Sequence, residues 1–435
     1  MSSWKPRWLV LSFLLLTVSY AAGSAFQGQQ AQAVENATAG AVVAVVGGSG
    51  VNSAKAPISS DLSTALVEST MQRYPGPKEL GSWGYAKSLY LFGQYLVFKR
   101  TEDPRYLSYI KNWIDSHVDE NGKIDRGMNA LDYMLPGNLL LVLYKETGEP
   151  KYKIAAESIR QRFDTYPRTK DGGLWHATSR QHQLWADGLF MSMPFLVRYG
   201  QIFGDSKYAN DEAANQLLIY ASHLRDPRTG LFYHAYDESG AQKWANPTTH
   251  RASEFWCRAM GWYAMALVDV LEVLPKDHPK RAEVLATLQE FVKSIARYQD
   301  SKTGLWYQVI DQGADPNNWL ETSSSSMFTY VISLSVERGY VSQKYAKVAS
   351  KGYRGVMTKL TFGEDGLTNI SDICEGTNVS DRAYYFGRKR PVNDFHGLGA
   401  FLLMNEHAMT AKSSIELDGR EAKTKKKGVL SKLAK

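Results

Sequence analysis

The sequence predicts an all-α protein, an (α/α)6 barrel of six helical hairpins with short β-strand loops at one mouth. Three observations predict this fold: long stretches of helical periodicity, links that alternate between short and long, and helices that alternate between amphipathic and almost wholly apolar. The chain of 435 residues suits one large domain or two ordinary ones, and the periodicity places a single barrel domain in residues 58–411.

Apolar residues recur with helical periodicity in twelve segments of that domain. Short polar links such as "RTEDPR", "KETGEP" and "FGDSK" follow the even-numbered segments, so the twelve predicted helices pair into six hairpins. The predicted helices span residues 59–73, 84–98, 103–118, 130–146, 149–164, 183–202, 206–224, 252–273, 278–299, 321–338, 343–360 and 394–411.

Longer links follow most of the odd-numbered helices, and five of these links carry a related glycine motif, as in "DGGLWH", "TGLFYH" and "TGLWYQ". Glycine adopts positive φ at little cost, so each motif predicts a tight turn that leads into a short strand. Recurrence along the chain indicates one supersecondary unit that is repeated. The predicted turn glycines are Gly122, Gly173, Gly230, Gly304 and Gly366.

Six hairpins could form an open solenoid or close into a ring, and the even-numbered helices favour closure. Their segments "LLLVLY" and "MGWYAMALVDVL" are apolar nearly all round, which is typical of buried helices. Six such helices inside six amphipathic ones make a closed barrel whose long links gather at one mouth. The N-terminal ends of the inner helices lie there, with partial positive charge and free N–H groups.

The two ends of the chain differ from the barrel in composition. Residues 1–25 have the pattern of a secretory signal, since two basic residues precede the apolar run "WLVLSFLLL" and a small-residue cleavage site ends at Ala25. This predicts a secreted or periplasmic protein with no membrane span in the mature chain; an uncleaved anchor is the alternative. Residues 26–57 are predicted to be a flexible spacer, and residues 412–435 a basic disordered tail.

Charge, cysteine content and motifs exclude several classes of function. The net charge of +7 comes entirely from the two N-terminal basic residues and the tail, so the neutral barrel domain predicts no nucleic-acid partner. Cys257 and Cys374 are predicted to be buried free thiols. The sequence lacks His-Glu-x-x-His, Cys-x-x-Cys, phosphate-loop and nucleophile-elbow motifs, so we predict no metal and no cofactor.

Aromatic, acidic and basic residues cluster at the predicted mouth. Aromatic faces suit sugar rings, basic groups suit a carboxylate, and two acids suit proton transfer, although 11 Trp and 25 Tyr would also suit a large core. The mixture therefore suggests a sugar site. The helix starts carry Trp83, Gly84, Tyr85, Asp132, Trp185, Asp187, Trp256, Arg258, Trp262, Ser323 to Ser326, Asp394 and His396, and the strands before them carry His176 and His234.

Asp187 and Asp132 are the candidate acid and base of this site. Trp185, Met191 and Trp262 would desolvate Asp187 and raise its pKa, whereas the helix N-terminus would lower its pKa, and the sequence leaves the balance open. Either aspartate could instead be an N-cap residue. For Asp132 the cap is as plausible as catalysis, while the aromatic neighbours of Asp187 favour catalysis.

Basic residues of the predicted mouth also allow two interpretations. Arg258 lies between Trp256 and Trp262 in the sequence, where it could grip a substrate carboxylate with two parallel hydrogen bonds. Alternatively, Arg258 pairs with an acidic side chain between core aromatics. His176 and His234 could bind substrate or be structural histidines that are bonded to the backbone.

Four blocks of sequence resemble glycoside hydrolase family 105, the unsaturated rhamnogalacturonyl hydrolases, which are related to the family 88 unsaturated glucuronyl hydrolases. The blocks are "GGLWHATSRQHQLWADGLFMSMPF", "SEFWCRAMGW", "ETSSSSMF" and "FHGLGAFLL". The resemblance covers about residues 60–411, and its most specific part is Trp-x-Asp-Gly-Leu-Phe-Met.

The resemblance implies an (α/α)6 barrel that acts on lyase-generated oligosaccharides, such as those of pectic rhamnogalacturonan, and removes their terminal 4,5-unsaturated uronic acid. Such enzymes hydrate the C4=C5 double bond, and the hemiketal that forms opens and releases the rest of the sugar. The resemblance implies that Asp187 protonates C4 and then deprotonates the attacking water, with Asp132 as a second important carboxylate. The implied substrate-binding residues are Tyr85, His176, Trp185, Met191, His234, Trp256, Arg258 and Trp262.

Three departures from the family pattern bear on substrate choice. Ala177 stands where some members have Lys, Ala186 replaces a bulkier residue, and Ala259-Met260 stands where one branch has Gly-Asn. The aglycone sugar and the oligomeric state therefore stay open. Two rival functions also remain: a conventional (α/α)6 glycosidase or polysaccharide lyase, and a non-catalytic carbohydrate-binding barrel.

Overall fold

The computed structural model describes residues 61–410, so the predicted signal peptide, spacer and tail lie outside the described residues. Fourteen α-helices make up most of the described chain. They are α1 (Leu62–Arg73), α2 (Pro77–Leu80), α3 (Tyr85–Thr101), α4 (Pro104–Asp115), α5 (Gly137–Thr147), α6 (Pro150–Thr165), α7 (Asp187–Phe203), α8 (Ser206–Leu224), α9 (Cys257–Val273), α10 (Arg281–Arg297), α11 (Thr322–Glu337), α12 (Ala346–Met357), α13 (Arg382–Phe386) and α14 (Phe395–Thr410).

Six of these helices, α3, α5, α7, α9, α11 and α14, form a closed inner ring. Each packs against the next, and α14 returns to pack against α3. Helices α4, α6, α8, α10 and α12 each pack outside the inner helix that precedes them, and α1 packs against α14. The predicted all-α (α/α)6 barrel is therefore confirmed, and the contact between α14 and α3 closes the ring that an open solenoid would lack.

The inner ring holds the hydrophobic core of the barrel. Every residue from 257 to 268 in α9 is buried, as expected for a helix surrounded by others. The first and last inner helices approach closely through glycines. A Cβ atom at Gly399 would lie 2.7 Å from the backbone nitrogen of Tyr90, and one at Gly93 would lie 2.6 Å from Cβ of Leu402. Only glycine permits this approach without displacing a neighbour.

Glycine turns recur in the links after five outer helices, as the sequence predicts. Four of the predicted turn glycines have φ between 72° and 81°. In the second repeat the prediction of Gly173 is wrong: the left-handed residue is Gly172, with φ of 96°, and Gly173 instead lies close to Thr169. The four confirmed glycines are Gly122, Gly230, Gly304 and Gly366.

Three short antiparallel sheets accompany these turns, each of two strands. Their short length fits the prediction of small strands at the ends of a helical barrel. The pairs are β1 (Gln183–Trp185) with β2 (Ala235–Asp237), β3 (Trp306–Tyr307) with β4 (Leu320–Glu321), and β5 (Leu360–Phe362) with β6 (Thr368–Ile370).

The links before the six inner helices are bonded to one another around the mouth. Strand β1 before α7 pairs with β2 before α9, and isolated bridges join the links before α5 and α7 and those before α9 and α11. Trp83 donates to the Tyr133 carbonyl at 2.8 Å, and Thr322 N–H donates to the link before α14. The Tyr85 hydroxyl and His396 Nε2, 2.7 Å apart, complete the circle between α3 and α14. The mouth is thus a continuous ring of loops.

Inner helices α5, α7 and α9 begin later than predicted because their first predicted residues build the mouth. Residues 131–133 form a 3-10 turn ahead of α5, whose N-cap is Pro136, and residues 183–185 form β1 ahead of α7. Pro194 lies inside α7, where its missing N–H leaves the Phe190 carbonyl without its usual helical donor. The short helices α2 and α13 were not predicted.

The two cysteines are buried free thiols, as predicted. The sulfur of Cys257 accepts a hydrogen bond from Ser324 at 2.9 Å, and that of Cys374 accepts one from Gln308 at 3.0 Å. Both thiols therefore belong to the packed interior. Between residues 61 and 410, none of the helices combines the length and the apolar character that a membrane crossing requires.

Candidate active site

Asp187 stands at the junction of β1 and α7, so a strand and a helix fix its backbone on both sides. The N-cap of α7 is Ala186, which excludes the alternative that Asp187 serves as the cap. The Asp187 side chain is 13% exposed, and its Oδ2 lies 3.3 Å from Nε2 of His234. These two atoms are poorly aligned for a hydrogen bond, as is common at catalytic sites before substrate binds.

His234 is fully buried and connects Asp187 to Tyr385. Its Nδ1 lies 2.7 Å from the Tyr385 hydroxyl oxygen, which also accepts the Ser380 N–H at 3.3 Å. The hydroxyl can therefore donate its own proton to Nδ1. In that arrangement the neutral ring carries its proton on Nε2, facing Asp187. The His234 ring thus bonds to side chains, and the alternative of a ring bonded to backbone does not apply.

The pKa of Asp187 shows which of the two opposing influences prevails. Burial raises the pKa of Asp187, but electrostatic interaction with the His234 and His176 rings and with the backbone N–H of Asp187 together lowers it more. The net pKa of Asp187 lies below the ordinary value for a carboxyl group. Before substrate binds, Asp187 is therefore an ionised carboxylate at neutral pH.

Asp132 lies in the 3-10 turn before α5 and has the opposite character. It does not cap α5, because Pro136 occupies the N-cap, and its Oδ1 is 3.8 Å from Nε2 of His176. Burial and the charge of Asp187 raise the pKa of Asp132 to about 7, against the lowering effect of Arg180. Its side chain remains 27% exposed. Asp132 therefore keeps a proton up to neutral pH, close to an ionised Asp187.

His176 lies flat on Trp185, with ring centroids 4.5 Å apart and planes 6° from parallel. The Trp185 indole is fixed in turn, since its Nε1 donates to Gln183 at 3.0 Å. Burial lowers the pKa of His176 to about 4, so its ring is neutral at physiological pH. Within residues 61–410 its buried Nδ1 has no hydrogen-bond partner. Buried polar atoms are normally paired, so this nitrogen is an exception within the site, and Nε2 is the ring nitrogen that faces Asp132.

Tyr85, in the first turn of α3, is held by an imidazole and a carboxylate. Its hydroxyl lies 2.7 Å from His396 Nε2, and His396 Nδ1 lies 2.5 Å from Asp394 Oδ1. The carboxylate fixes the imidazole proton on Nδ1, so Nε2 accepts the Tyr85 O–H. The edge of Trp262 packs against the Tyr85 ring at 6.1 Å. The Tyr85 oxygen therefore keeps its lone pairs for a donor on a substrate.

Arg258 does not pair with an acidic side chain, which was one of the two arrangements that the sequence suggested. Its guanidinium lies 4.8 Å from the Trp256 ring, and its terminal nitrogens donate to the backbone carbonyls of Cys374 and Glu375. The residue is 1% exposed, and no carboxylate of residues 61–410 pairs with it. Arg258 therefore anchors the link before α14, and its binding of a substrate carboxylate stays a prediction.

Three of the ten predicted site residues, Tyr85, Asp132 and Asp187, are partly exposed at the mouth. The others are buried; Trp262, for example, packs against Tyr85 with ring centroids 6.1 Å apart and stacks on Phe190 at 5.3 Å. In the described part of the chain, no group of three or more His, Cys, Asp or Glu side chains could hold a metal ion. The buried members are His176, Trp185, Met191, His234, Trp256, Arg258 and Trp262.

Two residues of this site were missed by the sequence analysis. Tyr385 lies on α13, beyond the glycine motif of the link before α14, so no repeated pattern in the sequence indicates its contact with His234. Arg180, whose guanidinium lies 4.2 Å from the Trp185 ring centroid, is the one basic residue of "ATSRQ". A cation shortly before the Trp-x-Asp motif was the available signal.

Comparison with known proteins identifies the class to which this closed helical barrel belongs, the glycoside hydrolases. A family 105 glycoside hydrolase structure from C. acetobutylicum ATCC 824 is 35% identical, with a TM-score of 0.77 over 80% of this chain and 99% of that one. The unsaturated rhamnogalacturonyl hydrolase YesR of Bacillus subtilis (strain 168) is 27% identical over 342 residues, 77% of this chain and 92% of that protein.

A more distant structure shares the fold. The unsaturated glucuronyl hydrolase of Bacillus sp. GL1 is 12% identical, with a TM-score of 0.61 over 82% of this chain and 98% of that one. The family model described as Glycosyl Hydrolase Family 88 matches residues 62–412, so the chain belongs to that family. The resemblance to families 105 and 88 that the sequence blocks indicated is confirmed.

Proposed function

We propose that the protein removes a 4,5-unsaturated uronic acid, galacturonyl or glucuronyl, from the non-reducing end of oligosaccharides made by polysaccharide lyases. The observation that carries the proposal is the placement of two aspartates at the mouth of the barrel, with Asp187 Oδ2 3.3 Å from Nε2 of His234 and Asp132 Oδ1 3.8 Å from Nε2 of His176. Family membership supports the reaction class. The similarity to YesR, an unsaturated rhamnogalacturonyl hydrolase, favours an unsaturated rhamnogalacturonyl substrate and hence a role in pectin degradation.

The proposed reaction adds water across the C4=C5 double bond. A proton is added to C4, the water oxygen bonds to C5, and the remaining water proton returns to the enzyme. The resulting hemiketal opens, and the sugar beyond the glycosidic oxygen is released. Displacement at the anomeric carbon would need two carboxylates on either side of the glycosidic bond. Hydration of a vinyl ether needs a single acid that becomes the base, and that is the role proposed for Asp187.

Asp187 must acquire the proton that it delivers to C4. Asp132 holds a proton up to about pH 7 and is close enough to interact electrostatically with Asp187. Binding of a uronate brings a further negative charge and excludes water, and both effects raise the pKa of a carboxyl group. Proton transfer from Asp132 to Asp187 then becomes favourable. Tyr85, which is partly exposed at the mouth, is placed to bind a sugar hydroxyl group.

The test follows the ultraviolet absorbance of the unsaturated uronate in lyase digests of rhamnogalacturonan, ulvan and glycosaminoglycans. The proposal expects absorbance to fall with at least one digest. A protein that leaves the absorbance of all three unchanged does not have this function. The rival lyase would create absorbance from intact polysaccharide, and a non-catalytic barrel would bind oligosaccharide without any turnover.

A further inference from the structure

Arg180 is a cation at the mouth that the proposed reaction leaves unused. Its backbone is held in a turn, with its N–H donating to the Ala177 carbonyl at 2.9 Å and its carbonyl accepting the Gln183 N–H at 3.2 Å. Its guanidinium carbon lies 4.2 Å from the centroid of Trp185. Because Trp185 is itself fixed by Gln183 and by stacking on His176, the guanidinium is held against a rigid surface.

Most of the hydrogen-bonding capacity of Arg180 is unused by the protein. Its Nη2 donates to Asn378 Oδ1 at 2.8 Å, and this is its one side-chain hydrogen bond to residues 61–410. A guanidinium has five N–H donors, so four are left for a ligand. The side chain is half-buried, and no carboxylate of the described residues lies within ion-pair distance of it. A partly desolvated cation without a counter-charge costs free energy that a bound anion would offset.

Neighbouring groups do not take the place of that anion. Asp132 is near, but it carries a proton up to about pH 7 and is then uncharged. Arg258, the guanidinium that the sequence singled out for this role, already donates to two backbone carbonyls and is buried. Arg180 is therefore better placed than Arg258 to receive a negatively charged group from solution.

We propose that Arg180 binds the carboxylate of the terminal unsaturated uronate and selects acidic over esterified substrates. This inference rests on the proposed function. A guanidinium matches a carboxylate with two parallel hydrogen bonds. In the substrate the carboxylate is attached to C5, so a grip on it also orients the neighbouring C4=C5 bond. Trp185 contacts Arg180 through its ring and precedes Asp187 by two residues, so a carboxylate held by Arg180 lies on the side of the mouth that carries the acid.

The experiment compares an unsaturated uronate linked to neutral rhamnose with the methyl ester of the same disaccharide. Arg180→Gln is expected to lower kcat/KM for the acid roughly 10- to 100-fold, mainly through KM, as for the loss of one charge-assisted pair. Its effect on the ester is expected to stay within about threefold, and Arg180→Lys should fall between. For each substrate, dividing kcat/KM of the variant by kcat/KM of wild type cancels the intrinsic difference in reactivity between acid and ester.

The control variant is Arg390→Gln, because Arg390 lies 4.5 Å from the ring centroid of Trp319 and loses the same kind of contact. Arg390→Gln is expected to keep the wild-type kcat/KM for both the acid and the ester. Equal losses on acid and ester in Arg180→Gln, or no loss on the acid, would overturn the proposal. Wild type that turns over neither substrate would exclude this disaccharide as a substrate, whereas the proposed function is refuted only when all three lyase digests are left unchanged. Calorimetric binding of acid and ester to Asp187→Asn, with and without Arg180→Gln, would still decide the role of Arg180.

Discussion

Replacing Tyr385 with Phe removes the hydroxyl oxygen that connects the His234 ring to the Ser380 backbone N–H. The hydroxyl lies 2.7 Å from His234 Nδ1 and accepts the Ser380 N–H at 3.3 Å. Without it, nothing keeps the imidazole proton on Nε2, where it faces Asp187. The contact that this change weakens joins His234 to the charged carboxylate of Asp187. Hydrogen bonds that involve charged groups contribute about 1.5–3 kcal/mol. At about 1.36 kcal/mol for each factor of ten, kcat should fall roughly 10- to 100-fold.

The pH dependence separates this effect from simple destabilisation. His234 lowers the pKa of Asp187, so a weaker His234 contact lets that pKa rise. The acidic limb of the activity profile should therefore move to higher pH in Tyr385→Phe. The assay records loss of unsaturated-uronate absorbance against pH, together with thermal melting by circular dichroism.

A matched control loses the same atom from another buried tyrosine. The Tyr263 hydroxyl donates to the Leu217 carbonyl at 2.9 Å, away from the two aspartates. Tyr263→Phe should lose about 1–3 kcal/mol of stability and keep its activity and pH profile. If Tyr385→Phe likewise loses only stability, the role assigned to Tyr385 is wrong.

Three further outcomes are expected. Asp187→Asn should bind oligosaccharide in calorimetry with near wild-type affinity and lose turnover roughly 10²- to 10⁴-fold. Loss of affinity together with turnover would show that Asp187 also binds the substrate and does not act only in proton transfer. Wild-type kcat/KM should fall above pH 7, because the pKa of Asp132 is about 7 and its proton is lost as the pH rises through that value, whereas Asp132→Asn should be slow at every pH without this fall. Gly399→Ala should lower stability by about 1–3 kcal/mol in urea unfolding, since its Cβ would lie 2.7 Å from the Tyr90 nitrogen, while Gly127→Ala, with open space around it, should not.

The barrel could be predicted because burial leaves a periodic trace in the sequence. Helices that are apolar on all sides alternate with amphipathic ones, and the observed inner and outer rings follow that alternation. The starts of α7 and α9 could not be predicted in the same way. Residues 183–185 are compatible with a helix, but they pair with residues 235–237, about 50 positions away, and only the folded chain brings these strands together.

The residues of the candidate site also differ in whether the sequence could predict them. The block around Asp187 was found because its aromatic neighbours are adjacent in sequence. Tyr385 and Arg180 were missed because their partners are distant: 151 positions separate His234 from Tyr385, and 198 separate Arg180 from Asn378. Such contacts depend on residues 371–394, the part of the link before α14 that lies beyond its glycine motif.

The same contacts explain why two chemically identical carboxyl groups differ in the folded chain. Asp187 faces two imidazoles and has its own backbone N–H as a donor, so its ionised form is stabilised despite burial. Asp132 is buried as well, but the strongest charge that acts on it is the negative charge of Asp187. The pair therefore holds one proton near neutral pH rather than two or none. Under the proposed reaction Asp187 must be protonated to give a proton to C4 and is then ionised to take one from water, and the single proton of the pair reaches Asp187 from Asp132 when the uronate binds.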